Sequence, residues 1–361
     1  MISNQIIQNN IEELKAITRV DFAVYDLNGD VQASTFQTEP TDKQLVINFA
    51  ESSADSQVVG FHHLLKVLDG EDAIYILDAR GISDDAYTMG RVAVCQLQHL
   101  IVAYKERFDR NNLFQNLILD NMLLVDIYNK AKNLHIADVV DRVVYLVETP
   151  GGKDSSVDEI MKGMFSTQNG DYITAVDESS VILMKAFEET PNYEEMKNVA
   201  RTIVDMVNAE AMVNVRVAYG TIVHELRDVS KSYKEAKMAS EVGRIFYQEK
   251  SIISYHHLGI GRLIYQLPIS LCKMFMDEIF GGQIPEELDE ETLMTVDKFF
   301  ENNLNVSETS RQLFIHRNTL VYRIEKLQKA TGLDIRVFDD ALTLKIALMV
   351  VNYMKFLEQE R

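Results

Sequence analysis

The spacing of apolar residues along this 361-residue chain alternates between the two-residue period of strands and the longer period of helices. In residues 1–95, a starting helix precedes two predicted hairpins, and a helix over Asp42–Glu51 separates the hairpins. The strands and turn pairs of these hairpins are Phe22–Tyr25 with Val31–Thr35 around Asn28-Gly29, and Phe61–Leu68 with Ala73–Leu77 around Asp69-Gly70. Strands interrupted by helices in this order predict a small α/β domain.

A helical pattern occupies the next segment, from Ile82 to about Asn133, and residues 96–133 of it are predicted to connect domains. Its apolar stripe consists of Leu97, Ile101, Tyr104, Phe108, Phe114, Leu117, Ile118, Leu124 and Tyr128. Two interpretations are open: the helices cover the neighbouring sheets, or they form a signalling helix that also pairs with its copy in a dimer. The length of the stripe favours the signalling helix.

Residues 134–258 have the most regular pattern, and their predicted elements follow one another in the order βαββαβ. The predicted strands are Arg142–Val147, Tyr172–Val176, Val181–Lys185 and a segment alternating Val213, Val215 and Val217. The predicted helices lie around Asp158–Phe165 and along Met196, Ala200, Ile203 and Val207. A further helix, Val229–Val242, is expected to stop at Gly243 before a last strand at Ile252-Ile253.

Residues 259–361 are predicted to be helical throughout. The expected helices are Leu263–Phe280, ended by Gly281-Gly282, then Asp289–Asn303, Asn305–Phe314, Arg317–Thr331 and Asp340–Gln359. Asn305 and Glu308 have the spacing of a capping box, and Gly332 is a typical helix stop. Two short helices joined by the tight connection Ile315-His316 predict a helix-turn-helix. The last helix is apolar on most sides and is expected to be buried, in this domain or against a second subunit.

The second short helix has two distinct faces. Leu320, Ile324 and Leu327 form an apolar face, whereas the outward face begins with Arg317, Asn318 and Thr319. In a recognition helix, residues of the first turn reach base edges, and later Arg and Lys residues contact phosphates. The sequence therefore predicts double-stranded DNA as a partner, bound through Ser310, His316, Arg317, Asn318, Thr319, Tyr322, Arg323 and Lys326.

Charge supports this interpretation. Between Val306 and Arg336 there are six basic and three acidic residues, a local charge of +3 in a chain of net charge −19. An acidic body weakens indiscriminate binding to nucleic acid, because its repulsion opposes every contact outside the basic element. The competing interpretation is a solvated amphipathic helix without a nucleic-acid partner.

A family resemblance favours DNA binding. The run LFIHRNTLVYRIEKLQKATGLDI, together with Asp340 and the helix LTLKIALMV, closely resembles the C-terminal domain of the bacterial purine-catabolism and sugar-diacid regulators. The resemblance covers about the last 70 residues, with the HRNTL…YR core at His316–Leu320 and Tyr322-Arg323. It implies a cytoplasmic transcriptional regulator whose N-terminal region responds to a small-molecule effector. The strands and helices of residues 1–95 are similar to a sensory module of the PAS or GAF type. A homodimer is expected because one helix-turn-helix reads only a few base pairs.

The middle domain resembles the degenerate GGDEF-like domain of the same family, through the run SYKEAKMASEVGR from Ser232 to Arg244. A diguanylate cyclase needs two glycines and metal-binding carboxylates in its hairpin, but Asp177, Glu178, Ser179 and Ser180 stand there in this chain. Side chains in place of those glycines block the approach of phosphates, and the carboxylates present are too few for magnesium. A scaffold without catalytic residues is expected, and the alternative is a nucleotide-binding or cyclase-like enzyme or receptor.

Composition limits the remaining possibilities. Cys95 and Cys272 are the two cysteines of the chain, so neither a disulfide framework nor a thiolate zinc site is expected, which fits a reducing cytoplasm. No secretory signal or membrane span is expected, nor any metal or cofactor. The predicted fold class is multidomain α/β, or α+β: a sensor, helices, a GGDEF-like domain and an all-α reader. His62, His63 and Arg80 are candidates for lining an effector pocket.

Overall fold

The computed structural model describes residues 2–37, 39–81, 84–149, 155–165, 170–175, 180–281 and 289–359. The chain forms two compact units, Met1–Phe114 and Gln115–Arg361. The boundary lies within a single long helix, whereas the sequence pattern placed the end of the first domain at residue 95.

The first unit is a five-stranded antiparallel sheet covered by helices on both faces. Its elements are α1 (Asn4–Thr18), β1 (Asp21–Tyr25), β2 (Val31–Ser34), α2 (Lys43–Glu51), β3 (Ser56–Val59), β4 (His62–Asp69), β5 (Asp72–Arg80) and α3 (Asp84–Ile118). The strand order is β2-β1-β5-β4-β3. Residues of α1 and α3 pack on one face of the sheet, and Val46 and Phe49 of α2 pack on the other.

Both predicted hairpins are present in this unit. The first turn is longer than a two-residue Asn-Gly turn: the Asp26 carboxylate accepts the backbone N–H groups of Asn28 and Asp30, and Gly29 has a φ of 79°. The sequence pattern missed β3. Helix α3 is continuous through Asn111-Asn112. The start predicted for this helical segment, Ile82, lies outside the described residues.

The second unit contains the predicted βαββαβ domain followed by the C-terminal helices. Its first elements are α4 (Leu124–Asn133), β6 (Val139–Glu148), α5 (Ser155–Met164), β7 (Tyr172–Thr174), β8 (Ser180–Phe187), α6 (Tyr193–Ala211), β9 (Arg216–Tyr219), β10 (Val223–Glu225), α7 (Val229–Phe246) and β11 (Ile252–Ser254). The sheet order is β11-β9-β6-β8-β7, with the short strand β10 also paired to β6. Strands β9 and β11 run parallel, and the other pairs are antiparallel.

Helix α7 corrects one prediction. It does not stop at Gly243 but continues to Phe246. Gly243 is instead a packing position, since a Cβ added there would lie 2.0 Å from Ile253 Cδ1. The glycine lets β11 approach the helix closely, which the sequence pattern alone does not distinguish from a helix end.

The remaining helices are α8 (Ile260–Tyr265), α9 (Ile269–Phe280), α10 (Glu290–Glu301), α11 (Val306–Gln312), α12 (Arg317–Thr331) and α13 (Phe338–Gln359). The predicted helix Leu263–Phe280 is divided into two, with Pro268 as the N-cap of α9. Of the predicted break Gly281-Gly282, Gly281 caps α9 and Gly282 lies outside the described residues.

Helix α13 joins two cores. Ala341 and Leu344 near its start pack with α10 and α12, whereas Val350, Tyr353 and Met354 pack in a cluster with α7, α8 and α9. The burial predicted for α13 is therefore provided by its own domain and by the helices before it. These contacts connect the C-terminal helices to the middle domain within one compact unit.

Candidate nucleic-acid interface

The two helices of the predicted reader rest on a small apolar core. Leu320, Ile324 and Leu327 are each at most 1% exposed, and they pack against Val296 and Phe299 of α10. This confirms the inward face predicted for α12. Because the apolar side chains of α12 are used in this core, the opposite side of the helix faces solvent.

Helix α11 begins as predicted but is held differently at its N-terminus. The Asn305 side chain accepts hydrogen bonds from the N–H groups of Ser307 and Glu308, at 3.0 and 3.1 Å. The reciprocal bond of a capping box is replaced, because the Glu308 carboxylate pairs with Arg311 at 2.5 Å. Glu308 and Arg311 are thus an intrahelical ion pair, and the hydrogen bonds from Arg311 hold the pKa of the Glu308 carboxyl below its usual value.

Ser310 is the one predicted DNA contact that the structure places inside the domain. It is 8% exposed, and its hydroxyl donates to the Ser307 carbonyl oxygen at 3.0 Å. Its neighbour Thr309 is fully buried and donates to the Asn305 carbonyl oxygen. We therefore leave Ser310 out of the proposed contacts and assign it to the packing of α11.

The turn between the two helices has features that the apolar pattern did not indicate. Helix α11 ends at Gln312, and Phe314 has a φ of 55° and is 95% exposed. The His316 ring then caps α12, its Nδ1 accepting the N–H of Asn318 at 3.2 Å. His316 therefore fixes the start of α12, in addition to any contact that it makes with DNA.

The outward face of α12 carries most of the predicted contacts. Arg317, Asn318, Thr319, Tyr322 and Lys326 are all exposed, Tyr322 by 66%. With a rise of about 1.5 Å per residue, Arg317 and Lys326 lie about 13 Å apart along the helix axis. A helix with its side chains is about 10–12 Å across, which fits a major groove about 12 Å wide.

The cations of this region divide into two groups. Arg311 pairs with Glu308, Arg336 with Asp334 and Arg323 with Glu291. By contrast, no salt bridge within the described residues involves Arg317, Lys326 or Lys329, and all three are exposed. The cations available to a polyanion therefore lie on α12 itself.

Arg323 occupies an intermediate position at the edge of this face. Its guanidinium donates to the Thr295 hydroxyl of α10 at 3.0 Å and to the Glu291 carboxylate. Its side chain is 21% exposed. A phosphate contact by Arg323 stays a prediction, and it requires a phosphate to replace or share Glu291.

A second acidic residue of α10 also lies near the basic face. Asp289 caps α10 by accepting the Thr292 N–H at 2.8 Å. Hydrogen bonds from Thr292 lower the pKa of the Asp289 carboxyl, and the positive charges of Lys326 and Arg323 lower it further. The first turn of α10 therefore places negative charge beside the cations of α12.

This influence of α10 on Arg323 was not predicted, because Glu291 and Arg323 are far apart in the chain. A carboxylate one helix earlier gives no signal in the period of α12. The exposed ring of Phe314 was also missed, since an apolar residue there was assigned to the end of α11.

The other candidate residues lie in the first unit. The Asp78 carboxylate is fully buried, and its Oδ2 accepts from the Thr41 hydroxyl at 2.6 Å and lies 2.7 Å from His62 Nδ1. Arg80 lies near the same carboxylate, at 3.8 Å. The ring of His63 lies 3.2 Å from the Gly81 carbonyl oxygen instead. The structure thus brings His62 and Arg80 together around Asp78, and their role with an effector stays a prediction.

In the middle domain, the hairpin residues Asp177, Glu178 and Ser179 lie outside the described residues. Strand β6 ends in Glu148, a carboxylate that the sequence analysis did not consider, and its Oε2 accepts from the Ser240 hydroxyl at 2.5 Å. Within the described ranges, no group of three or more His, Cys, Asp or Glu side chains could hold a metal ion.

None of the described helices has both the length and the apolar character needed to cross a membrane.

Two domain families match this chain. Residues 292–350 match the PucR C-terminal helix-turn-helix domain, and residues 121–242 match the GGDEF-like domain. The first match spans α11 and α12 completely, and the second spans the predicted βαββαβ order.

Relatives with named functions are similar over different lengths. The purine catabolism regulatory protein of Bacillus subtilis (strain 168) is 27% identical over 143 residues, 39% of this chain and 27% of that protein. The carbohydrate diacid regulator of Escherichia coli (strain K12) is 27% identical over 277 residues, 71% of this chain and 68% of that protein. Among solved structures, a regulator of polyketide synthase expression from Bifidobacterium adolescentis has a TM-score of 0.34 at 14% identity, covering 69% of this chain and 98% of that one.

In this chain the PucR-type helix-turn-helix domain follows the GGDEF-like domain. The matched region spans about a quarter of the purine regulator and about two thirds of the diacid regulator. The chain is similar to both of these regulators, and it contains a PucR-type helix-turn-helix domain and a GGDEF-like domain.

Proposed function

We propose that this protein is a one-component transcriptional regulator that binds double-stranded DNA through α12 and controls a catabolic operon as an effector-controlled homodimer. The observation that carries the proposal is the first turn of α12, where Arg317, Asn318 and Thr319 are exposed together at the N-terminus of a helix whose other face is buried. Such side chains can pair with guanine and adenine edges in the major groove. A chain that reads a bacterial chromosome acts in the cytoplasm, where we place it.

The proposed contacts have two roles. Arg317, Asn318 and Thr319 read bases, whereas Lys326, with Tyr322 and Arg323 beside it, contacts phosphates. His316 caps the helix and brings its ring to the same end. Phosphate contacts position the protein without sequence information, so the first turn must supply the selectivity.

Selection of bound fragments from the source genome tests the proposal directly. The full chain and a variant with Arg317→Ala and Asn318→Ala are each incubated with sheared genomic DNA, and the retained fragments are sequenced. We expect the full chain to enrich one or a few sites and the variant to retain fragments without preference. No enrichment by the full chain, with GTP and magnesium instead converted to product, would favour the enzyme alternative.

Pairing of two chains is part of the proposal because one helix-turn-helix reads only a few base pairs. Leu117, in the predicted dimer stripe, is 2% exposed within a single chain and is therefore not available to a second copy. A better candidate surface lies at the start of α4, where Leu123, Leu124, Val125 and Tyr128 are between 58% and 74% exposed. We propose this surface, named the α4 surface, as the contact between two copies.

The α4 surface can be tested by a charge substitution at an exposed position. Val125→Asp should shift the protein toward monomer in analytical ultracentrifugation, because a carboxylate in an apolar contact is left without a partner. Met212→Asp is the matched control, since Met212 is 91% exposed at the end of α6. A dimer that survives Val125→Asp would exclude this surface.

A further inference from the structure

A cavity of about 740 Å³ lies within the first unit, beside the turn that joins β1 and β2. Small-molecule sites in proteins usually have volumes of about 300–1,000 Å³. The apolar part of its wall includes Ile74 and Tyr75 of β5 and Ile101, Tyr104 and Phe108 of α3. The cavity is thus large enough for a metabolite. His62, His63 and Arg80, which were predicted to line a pocket, do not line this cavity.

The charged groups of the cavity wall are Asp26, Asp69 and Lys105. Two carboxylates against one ammonium leave one net negative charge. The ammonium is already engaged, because Lys105 Nζ lies 3.2 Å from Asp69 Oδ2. A ligand carboxylate entering this cavity would meet the negative charge of Asp26 and would have to compete with Asp69 for the Lys105 ammonium.

Asp26 is held in place and keeps room for a ligand. Its Oδ1 accepts the N–H groups of Asn28 and Asp30 at 2.9 and 2.8 Å, whereas its Oδ2 has a longer contact of 3.3 Å with Gln32 Nε2. A carboxylate can accept about four hydrogen bonds, so acceptor capacity remains. Burial raises the pKa of Tyr75, and the negative charge of the Asp26 carboxylate raises it further.

The aromatic rings of the cavity wall also favour a cation over an anion. Tyr75, Tyr104 and Phe108 all line the cavity, and the faces of such rings attract cations within about 6 Å. Rings and a carboxylate together are the usual surroundings of a bound ammonium group, whereas neither attracts an anion.

From these observations we propose that the cavity binds a small organic cation, a protonated amine carried on an apolar body, in preference to a dicarboxylate. The relative named for carbohydrate diacids does not predict this preference. It follows from the side chains of this chain.

A ligand in this cavity would contact α3, the long helix that continues beyond the first unit. Ile101, Tyr104, Lys105 and Phe108 follow one another at the spacing of one helix face, and α3 continues as one helix to Ile118. A ligand in the cavity therefore contacts the helix that leads out of the first unit. This coupling rests on the proposed function, in which an effector controls DNA binding. Binding of the amine in the cavity does not depend on that function.

The test is a calorimetric titration of the full chain without DNA. The probes are 2-phenylethylamine and 3-phenylpropionate, which share an apolar body and differ in the sign of their charge, and adipate as a dicarboxylate. We expect 2-phenylethylamine to bind and both carboxylates to bind at least about tenfold more weakly, since the wall supplies one ion pair to the amine and one repulsion to the acids.

Variants assign the effect to the cavity. Asp26→Asn keeps the acceptor for the turn and should weaken the amine about fivefold, the effect of one partly exposed ion pair. The double variant Asp26→Asn with Asp69→Asn leaves the Lys105 ammonium as the charge of the wall, so 3-phenylpropionate should now bind better than the amine. Asp30→Asn is the matched control, because Asp30 lies in the same turn, pairs with Lys43 and does not line the cavity.

A second readout does not depend on any variant folding. In methyl NMR spectra of the unaltered chain, the amine should shift the signals of Ile74 and Ile101 and leave that of Ile17, which is 81% exposed on α1. The proposal is overturned if millimolar amine shifts neither the Ile74 nor the Ile101 signal, or if the carboxylates bind as tightly as the amine. It is also overturned if Asp30→Asn lowers the affinity for the amine as much as Asp26→Asn does. A cavity closed by a second copy would give the first of these results. Because no DNA is present, failure here leaves the fragment selection unaffected, and failure of the selection leaves this result unaffected.

Discussion

Helices α7 and α12 lie in the same unit and have similar lengths, 18 and 15 residues, but their surfaces are used differently. Ten residues of α7 are buried, and three of α12. Polar groups of α7 point into the domain: the Ser232 hydroxyl accepts the Val144 N–H at 3.0 Å and donates to the Thr221 carbonyl oxygen at 2.7 Å. The exposed cations of α12 have no such internal partners among the described residues. A helix whose polar groups are satisfied internally acts as scaffold, and one whose polar groups face solvent is available to a ligand.

The largest expected effect is a loss of stability when the packing of α7, the scaffold helix, is disturbed. A Cβ on Gly220 would lie 2.1 Å from the backbone carbonyl oxygen of Ser232, so Gly220→Ala must displace α7 from the sheet. We expect a loss of about 3 kcal/mol in the free energy of unfolding, measured by urea denaturation. Gly163→Ala in α5 is the control, because nothing lies within 4 Å of its added Cβ, and it should be neutral or slightly stabilising. Equal stability of the two variants would show that α7 is not tightly packed.

The next effect is on the DNA affinity that α12 provides. Lys326→Ala should weaken binding about fivefold on every DNA sequence and reduce the slope of log K against log salt by about one, as expected for one lost phosphate contact. Lys237→Ala removes an exposed cation of α7 and should change neither quantity. Fluorescence anisotropy at several salt concentrations measures both. A similar loss in the two variants would mean that charge anywhere on the surface suffices.

A smaller effect tests the acidic residues of α10. Glu291→Gln removes the carboxylate that holds Arg323 and should strengthen DNA binding about threefold on all sequences, because one more guanidinium becomes available to phosphate. Glu301→Gln, at the other end of α10 and paired with Lys298, is the control and should have no effect. Weaker binding by Glu291→Gln would show instead that the carboxylate positions Arg323 for contact.

The smallest effect is a pH dependence of stability. Asp289 has a lowered pKa in the folded protein, so its negative charge stabilises the fold above the unfolded pKa of about 3.9, and this contribution is lost as the pH falls through the folded value. Asp289→Asn keeps the N-cap but loses the charge. The unfolding temperature of the variant should therefore be slightly lower at neutral pH and equal to that of the unaltered chain in strong acid. A difference that grows on acidification would contradict this assignment.

How far each of these regions follows from sequence depends on the distance between the interacting residues. The faces of α12 were predicted correctly because Leu320, Ile324 and Leu327 lie within one helix and repeat at its own period. The His316 cap was missed since a histidine ring is an uncommon cap. The true end of α7 was missed because it depends on contact between Gly243 and Ile253.

The cavity proposed to bind an amine shows the same limit more strongly. Its wall is assembled from α1, the β1–β2 turn, β5 and α3, whose residues are spread over more than 100 positions of the chain. Periodicity cannot bring such residues together, and His62, His63 and Arg80 were predicted from residue type alone. Two of these surround the buried Asp78 carboxylate instead.

The central claim is that the first turn of α12 reads bases, and Asn318→Ala tests it most directly. Affinity is measured for a fragment selected from the genome and for random DNA of the same length, with Asn352→Ala on the exposed side of α13 as control. We predict a loss of about 1–3 kcal/mol on the selected fragment, much less on random DNA, and no change in the control. An equal loss on both DNAs would show that Asn318 contacts only the backbone, and the assignment of base reading to this turn would be wrong.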